Sequence, residues 1–508
     1  MTVRDDRSYA QTSNRRVDSA LSTKTSNHIL RIQTAMASSL ASPTESMVKE
    51  VSGHFSEPEE ISRERTVALD YYNKLPVEKS QLYTKYVDIL SGLSLDSIQF
   101  GLPSHVRNIP SEISHLVREK DEPTLALQVD SQMVRTEVHG ALEKEGIVFS
   151  DMASALVEFP DIARNRFTKA IPPGDDKFAA LNDAFFTAGT FLYVPKGLSV
   201  KIPFRNIVLL KTHGRASFTH NIIVAEENSK VNFLQEAYSQ LGKESQGPAL
   251  YSEVTEVYLG EGAEVNFASI QDFEGEVHST VNRRSIGQKD SRINWTVGHM
   301  GGGTTRSRMD SVLDGPGSTA EDVEVVFGSE SQRFDVVTDL THQSTNTTGH
   351  VLARGVLRDS ARAIFKGMIR ISEGAKNSNS YLAEHAMILS KKARADAIPG
   401  LEIFTNEVKA THSGSVSQVD EEQIFYLMSR GLTHSEAQRM IILGFLHPAV
   451  KRIPLRSVRA VIQFLIDEKW AGRGGLIPPR AEQLPEFEEE PEKEAVEADL
   501  FERHYKYR

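Results

Sequence analysis

The stretch GRASFTHNIIVAEENSKVNFLQ (214–235) contains two short runs that look like strands, and each follows a turn with a small residue. In both runs apolar residues alternate with polar ones, and an aromatic ring follows soon after the small residue, at Phe218 and Phe233. Alternation places every second side chain on one face of a strand, and a small residue suits a tight corner. The stretch therefore predicts two strands separated by a turn, each burying its ring.

The same pattern starts again three more times, which indicates a repeat. The later starts are GAEVNF (262–267), SRINW (291–295) and SARAIF (360–365). Their spacing varies from about 15 to about 70 residues, which is too irregular for a propeller with blades of about 40–50 residues. Such runs fill residues 190–415 without long helical patterns, so the sequence favours the stacked coils of a β-solenoid. A β-sandwich is the alternative.

Helical patterns flank this region on both sides. FSDMASALVEFPDIARNRF (149–167) precedes it with apolar residues at helical spacing. After it, Glu421–Arg430 reads as an amphipathic helix, and Thr433 with Glu436 matches a capping box. Five segments are predicted: a flexible Ser/Thr/Arg-rich arm (1–62), a mostly helical region (63–189), a β-solenoid core (190–419), a C-terminal helical domain (420–475) and an acidic tail (476–508).

The chain contains no cysteine and carries a net charge of −11. It can therefore form no disulfide, thiolate nucleophile or cysteine–metal bond, and any metal must use His, Asp, Glu or backbone oxygen. The acidic charge argues against broad nucleic-acid binding. No apolar run is long enough to span a membrane, and the first residues lack the apolar core of a secretory signal. We expect a cytoplasmic protein with neither nucleic acid nor membrane as a partner.

Three other functional readings have weaker support. GGGTTRS (301–307) lacks the lysine of a phosphate loop, and no helical pattern follows it. His342 and His350 could converge on a metal, although ordinary surface or core histidines are the favoured reading. A carbohydrate-active β-helix enzyme would need paired carboxylates in a groove. The candidates for such carboxylates are Asp310, Asp314, Asp322, Asp335 and Asp339.

Four longer motifs carry a family resemblance. They are DDKFAALNDAFFTAGTFLYVPKGLSVKIPF (175–204), RGVLRDSARAIFKGMIRI (354–371), HAMILSKKARADAIPGLEI (385–403) and PGLEIFTNEVKATHSGSVSQVDEEQIFYLMSRGL (399–432). In this order they resemble the SufB/SufD family of iron–sulfur cluster assembly proteins, over roughly residues 145–470. The resemblance implies a mainly β protein with a right-handed parallel β-helix between N- and C-terminal α-helical regions. It also implies a complex subunit that is not itself an enzyme.

The branch of the family is judged from a few positions. In the SufB branch a cysteine stands where this chain has Ile403, and a glutamate-rich stretch surrounds the histidine that aligns with His412. His412 also matches the histidine implicated in the SufD branch, although the common SufD pattern has cysteine in place of Ala410. Because the chain has no thiol, it resembles the SufD branch more closely. A SufB-like homodimeric variant is the alternative.

The resemblance also implies partners and sites. A SufB-like subunit, or a second copy of this chain, would pair with the β-helix, and a SufC-like ABC ATPase would dock on the C-terminal helices. His412 is the candidate iron or cluster ligand at the shared interface; alternatively it only hydrogen-bonds across that interface. No cofactor is expected to stay bound to the chain alone, and any iron or iron–sulfur cluster there would be transient. The candidate docking residues are Ile424, Phe425, Met428, Met440, Ile441 and Phe445.

Overall fold

The computed structural model describes most of the chain. The described residues are 43–93, 95, 98–100, 106, 108–117, 124–242 and 247–485. Most of the predicted flexible arm and of the predicted acidic tail therefore lies outside them.

A parallel β-solenoid of about eight turns forms the core. From the fourth strand onward, successive strands alternate between a nine-stranded and a ten-stranded sheet, so each turn gives one strand to each sheet. The strands are β1 Thr124–Val129, β2 Gln132–Val138, β3 Val148–Asp151, β4 Thr190–Val194, β5 Phe204–Leu210, β6 Ala216–Ala225, β7 Lys230–Ser239, β8 Ala249–Leu259, β9 Glu264–Asp272, β10 Val277–Gly287, β11 Arg292–His299, β12 Thr304–Leu313, β13 Thr319–Gly328, β14 Arg333–His342, β15 Thr348–Leu357, β16 Arg362–Ile371, β17 Asn379–Ile388, β18 Arg394–Ile403 and β19 Lys409–Gln418. The predicted mainly β, parallel solenoid is confirmed, and the β-sandwich alternative is wrong.

The aromatic residues of the repeat explain the register. Phe233, Phe267 and Trp295 occupy matching positions on β7, β9 and β11. Their ring centroids lie 5.3 Å and 4.8 Å apart, and all three side chains are buried. Phe218 differs, because its ring packs with Phe185 of the N-terminal region rather than in this column. Burial of stacked rings fixes each strand opposite the next, since a slip of one residue would turn every ring outward.

Short helices and three strands form the N-terminal region. Its helices are α1 Glu45–His54, α2 Glu59–Lys74, a 3₁₀ helix Thr84–Gly92, α3 Ser111–Ser114, α4 Gly140–Lys144, α5 Met152–Glu158, α6 Pro160–Ala163 and α7 Lys177–Phe185. The structure differs from the predicted segments in two respects here. Helix begins before residue 62, and β1, β2 and β3 lie inside the segment predicted as mostly helical. The run TLALQV of β1 is fully buried and pairs with β5, so tertiary pairing decides its conformation.

Ion pairs connect the N-terminal region to the nine-stranded sheet. Asp176 caps α7 by accepting hydrogen bonds from the backbone N–H groups of Phe178 and Ala179. The same carboxylate lies 2.6 Å from Arg306, and Glu78 lies 2.5 Å from Arg308. Because these groups are largely buried, the pairs hold the helices in one orientation on the sheet.

The C-terminal region consists of α8 Glu421–Ser429, α9 His434–Lys451, α10 Arg456–Trp470 and a 3₁₀ helix Ala481–Gln483. The predicted capping box at Thr433 and Glu436 is present. Ile442, Leu446 and Ile462 share a buried cluster with Ile270 and Val325, so α9 and α10 cover part of the ten-stranded sheet. Among the described residues, none of the helices is both long and apolar enough to cross a membrane.

Candidate metal and subunit-binding site

The solenoid ends in two strands that are each paired on one side only. Among the described residues, β18 pairs with β16 and β19 with β17, and each is the last strand of its sheet. Most residues of β19 are exposed, whereas β16 is almost entirely buried. The outer edge of each strand therefore presents unpaired backbone N–H and C=O groups, which form a template for strands of another chain.

His412 lies in the middle of the terminal strand β19. It stands opposite Leu382 of β17, which in turn stands opposite Val351 of β15. Both of those side chains are buried inside the solenoid, so His412 occupies an inward-facing position. It is nevertheless exposed, because no further turn covers it, and no described residue forms a hydrogen bond with its ring. The imidazole is thus available to a metal ion or to a partner.

Apolar side chains surround this end of the solenoid. Ile403 and Phe404 are 39% and 68% exposed, and Val416 is 41% exposed. Val416 shares the inward-facing side of β19 with His412, and Ile403 ends β18 on the other side of the corner 404–408. Grouped exposed apolar residues beside open strand edges are typical of a protein–protein interface. The structure thus places Ile403 and His412 at one open end.

The predicted docking residues separate into exposed and buried sets. Phe425, Met428 and Met440 are 73%, 43% and 52% exposed. Ile441 and Phe445 are half-buried and pack against the cluster beneath the helices. Ile424 is only 2% exposed, so its prediction as a contact residue needs correction. Adjacent residues of a helix lie about 100° apart around its axis, which turns Ile424 inward and Phe425 outward.

Comparison with known proteins identifies the family. The protein-family model described as "SUF system FeS cluster assembly, SufBD core domain" matches residues 208–445. A second family model, described as "SufBD protein N-terminal region", matches residues 51–205. The iron–sulfur cluster assembly protein SufD of Bacillus subtilis is 31% identical over 426 residues, covering 83% of this chain and 97% of that protein. This chain belongs to the SufBD family. SufBD family proteins of Staphylococcus saprophyticus and Staphylococcus epidermidis are 28% and 29% identical, each over 81% of this chain and 90% of the relative.

Within this SufBD fold, sequence reasoning missed the carboxyl group of Glu384 beneath the open end. Glu384 stands opposite Gly414, and its Oε2 accepts a hydrogen bond of 3.1 Å from the backbone N–H of Ile398. Burial raises the pKa of Glu384 to about 8. Asp322 lies deeper in the same inward-facing column as His412 and is also buried. Alternation could have marked Glu384 as inward-facing, because YLAEHAMI places it in phase with Leu382.

The disfavoured metal reading of His342 and His350 and the disfavoured phosphate-loop reading gain no support from the described residues of this SufBD protein. His342 is buried between the hydroxyl groups of Thr347 and Ser380, whereas His350 pairs with Glu321. The glycine-rich stretch 301–303 leads into β12, not into a helix. Among the described residues, no three His, Asp or Glu side chains are grouped so that they could hold a metal ion. An ion on His412 would therefore need ligands from outside the described chain.

The acidic residues considered for sugar chemistry have structural partners. Asp310 lies 2.8 Å from Arg284, Asp335 lies 2.6 Å from Lys366, and Asp339 lies 3.2 Å from Arg370. Asp322 is buried inside the solenoid, and Asp314 accepts a hydrogen bond from Gln288. The three ion pairs link neighbouring strands of the nine-stranded sheet, and carboxylates engaged in this way do not form a free catalytic pair.

Proposed function

We propose that this SufBD protein is a non-catalytic, SufD-like subunit of an iron–sulfur cluster assembly complex. The observation that carries the proposal is the exposed imidazole of His412 on the open edge of the solenoid, which has no hydrogen-bond partner in the described part of the chain. The similarity to SufD of Bacillus subtilis supports the same reading. In this role the chain supplies an interface and one candidate ligand, while a partner performs the sulfur chemistry.

The partner proposed for the open end is a SufB-like subunit. Iron–sulfur clusters are held mainly by cysteine thiolates, and this chain has none. Two copies of the chain could pair through the same strand edges, but that dimer would bring no thiolate to the site. The need for thiolate ligands therefore favours a heterodimer over the SufB-like homodimeric variant.

The cargo proposed for the shared site is iron or a nascent cluster. A neutral imidazole nitrogen binds iron, and His412 is held on a regular strand rather than on a loop. The remaining ligands would come from the partner, which explains why binding would be transient in the isolated chain. The competing reading, in which His412 only hydrogen-bonds across the interface, predicts a different response to mutation.

Replacing His412 by alanine tests the ligand role. We expect His412→Ala to lower the iron content of the purified complex at least about tenfold, because a metal–ligand bond is lost without a substitute. Stability of the free chain should change by less than about 0.5 kcal/mol, since the side chain is exposed. Iron and sulfide analysis, together with size-exclusion chromatography, measures both effects.

The matched control is His434→Ala, which removes an exposed imidazole at the start of α9. It should leave iron content and pairing unchanged. Unchanged iron in His412→Ala would contradict the ligand role, and weaker pairing with normal iron would support the hydrogen-bonding alternative instead.

The ATPase surface is proposed on α8 and α9. Phe425, Met428 and Met440 supply exposed apolar area, and Tyr426 adds a side chain that is 56% exposed. Aromatic and methionine side chains are enriched at protein–protein interfaces relative to the rest of the surface. We therefore propose that a SufC-like ATPase docks on this surface.

A double substitution tests this surface. Phe425→Ser with Met440→Ser should weaken capture of the ATPase at least about tenfold, because two apolar anchors lose their buried area in the complex. Binding is measured by calorimetry or by pull-down with the purified ATPase. Leu82→Ser, at a site 44% exposed in the N-terminal region, is the control. Equal affinity for the double variant and the unaltered chain would refute the docking surface.

A further inference from the structure

A cavity of about 370 Å³ lies in the N-terminal region, among residues that take no part in the proposed assembly sites. Helix α2 forms one side, and the segment between α6 and α7 forms the other. Its volume falls in the range of about 300–1,000 Å³ that is usual for small-molecule sites. The groups that line it fall into three chemically distinct parts.

The inner end of the cavity is formed by Asp183, which is only 2% exposed. Its Oδ1 lies 3.3 Å from Nδ1 of His220, and Nε2 of His220 lies 3.2 Å from Glu256. Glu256 also accepts hydrogen bonds from the backbone N–H groups of Ala170 and Ile171. Among the described residues, no donor reaches Oδ2 of Asp183. A buried carboxylate oxygen without a donor is costly, so this atom is a ready acceptor for a ligand.

The outer end of the cavity carries two cations. Arg63 and Lys169 both line the cavity and are exposed. Glu64 lines the cavity beside them, is half-buried, and interacts electrostatically with both cations. Between the two ends, Val67, Phe167 and Pro172 provide apolar walls. The cavity thus combines the buried carboxylate of Asp183, apolar walls and a rim on which two cations outnumber one carboxyl group.

We propose that this cavity binds a small zwitterion, namely a free α-amino acid with an apolar side chain. The ligand ammonium donates to Oδ2 of Asp183, the carboxylate lies between Arg63 and Lys169, and the side chain packs against the apolar walls. A simple cation would meet the net positive charge of the rim, and a simple anion would meet the buried carboxylate of Asp183. Only a ligand with both charges matches both ends.

Calorimetric titration with three related probes tests the charge pattern. L-leucine has both charged groups, leucinamide lacks the carboxylate, and 4-methylpentanoate lacks the ammonium. We expect L-leucine to bind at least about tenfold more tightly than either analogue, since each loses one charge-assisted contact. Comparable binding of leucinamide, or no detectable binding of L-leucine, would overturn the proposal.

Variants of the chain test the placement of the ligand. Asp183→Asn and the double substitution Arg63→Gln with Lys169→Gln should each weaken L-leucine binding at least about tenfold. Asp161→Asn, at an exposed neighbouring carboxylate, should have no effect. The rim substitutions are exposed, so they keep the test valid if Asp183→Asn fails to fold. Unweakened binding in the rim variant would overturn the proposal. Iron content of the assembly complex should remain normal in the rim variant, which separates this site from the proposed assembly function.

Discussion

His220→Ala is expected to destabilise the protein by about 3–5 kcal/mol, because it leaves two buried carboxylates without their shared cation. Asp183, His220 and Glu256 are all at most 2% exposed, so water cannot replace the imidazole. The three residues also join α7 to β6 and β8, and their loss loosens the N-terminal region from the solenoid. Urea unfolding followed by circular dichroism measures the change.

The same cluster predicts how stability depends on pH. Burial by itself would lower the pKa of His220, but hydrogen bonds with Asp183 and Glu256 outweigh it and raise the pKa from 6.5 to about 9. A raised histidine pKa stabilises the fold fully below the unfolded value. The contribution is then lost as pH rises through the folded value. Stability of the unaltered protein should therefore fall between about pH 6.5 and pH 9.

His342→Ala is the matched control for the charge effect. His342 is equally buried but hydrogen-bonds with the hydroxyl groups of Thr347 and Ser380, so its loss should cost about 1–3 kcal/mol. His220→Ala should also remove most of the fall in stability between neutral and alkaline pH. An unchanged pH profile in His220→Ala, or an equal cost for the two variants, would contradict the role of the buried ion pair.

Gly189→Ala is expected to prevent folding of the solenoid's first turn. Gly189 has φ +133°, and an added Cβ would lie 1.8 Å from the carbonyl oxygen of His220. That oxygen belongs to β6, so the clash can be relieved only by moving a strand of the sheet. The backbone oxygen of Gly189 also accepts a hydrogen bond from Met152, which ties α5 to the sheet. Combined strain and lost pairing should exceed the cost of an ordinary substitution of about 1 kcal/mol several-fold.

Soluble yield and thermal unfolding of Gly189→Ala measure this effect. Gly374→Ala is the control, because nothing lies within 4 Å of its added Cβ and its φ is not positive. The control should fold normally. A Gly189→Ala protein that is soluble and melts at the same temperature as the control would show that the close approach of the two strands is not required.

The solenoid could be predicted because its signal is local. Several coils begin with a small residue, an alternating run and a ring, as in 229–233 and 291–295, and these runs align in the sheet. The strands β1, β2 and β3 were missed because isolated short apolar runs do not distinguish strand from buried helix. Their conformation follows from pairing with strands that come later in the chain, β1 with β5 and β3 with β4.

The candidate sites depended on different kinds of information. His412 was found through family resemblance, and the fold explains its exposure because β19 is the last strand of its sheet. The inward direction of Ile424 depends on which face of α8 packs against α9, and helical spacing alone left that open. The cluster of Asp183, His220 and Glu256 is invisible in the sequence, because α7, β6 and β8 meet only in the folded protein.

Site-directed cross-linking tests most directly whether the open end of the solenoid is the subunit interface. The natural chain has no cysteine, so a Ser417→Cys variant has a single thiol, which lies on β19. A separate Ser111→Cys variant, with its single thiol on α3, is the matched control at a distant position in the chain. With a thiol-attached photo-cross-linker, Ser417→Cys should cross-link to a purified SufB-like subunit, and Ser111→Cys should not. A stable complex that cross-links through position 111 and not through position 417 would contradict pairing at the open end.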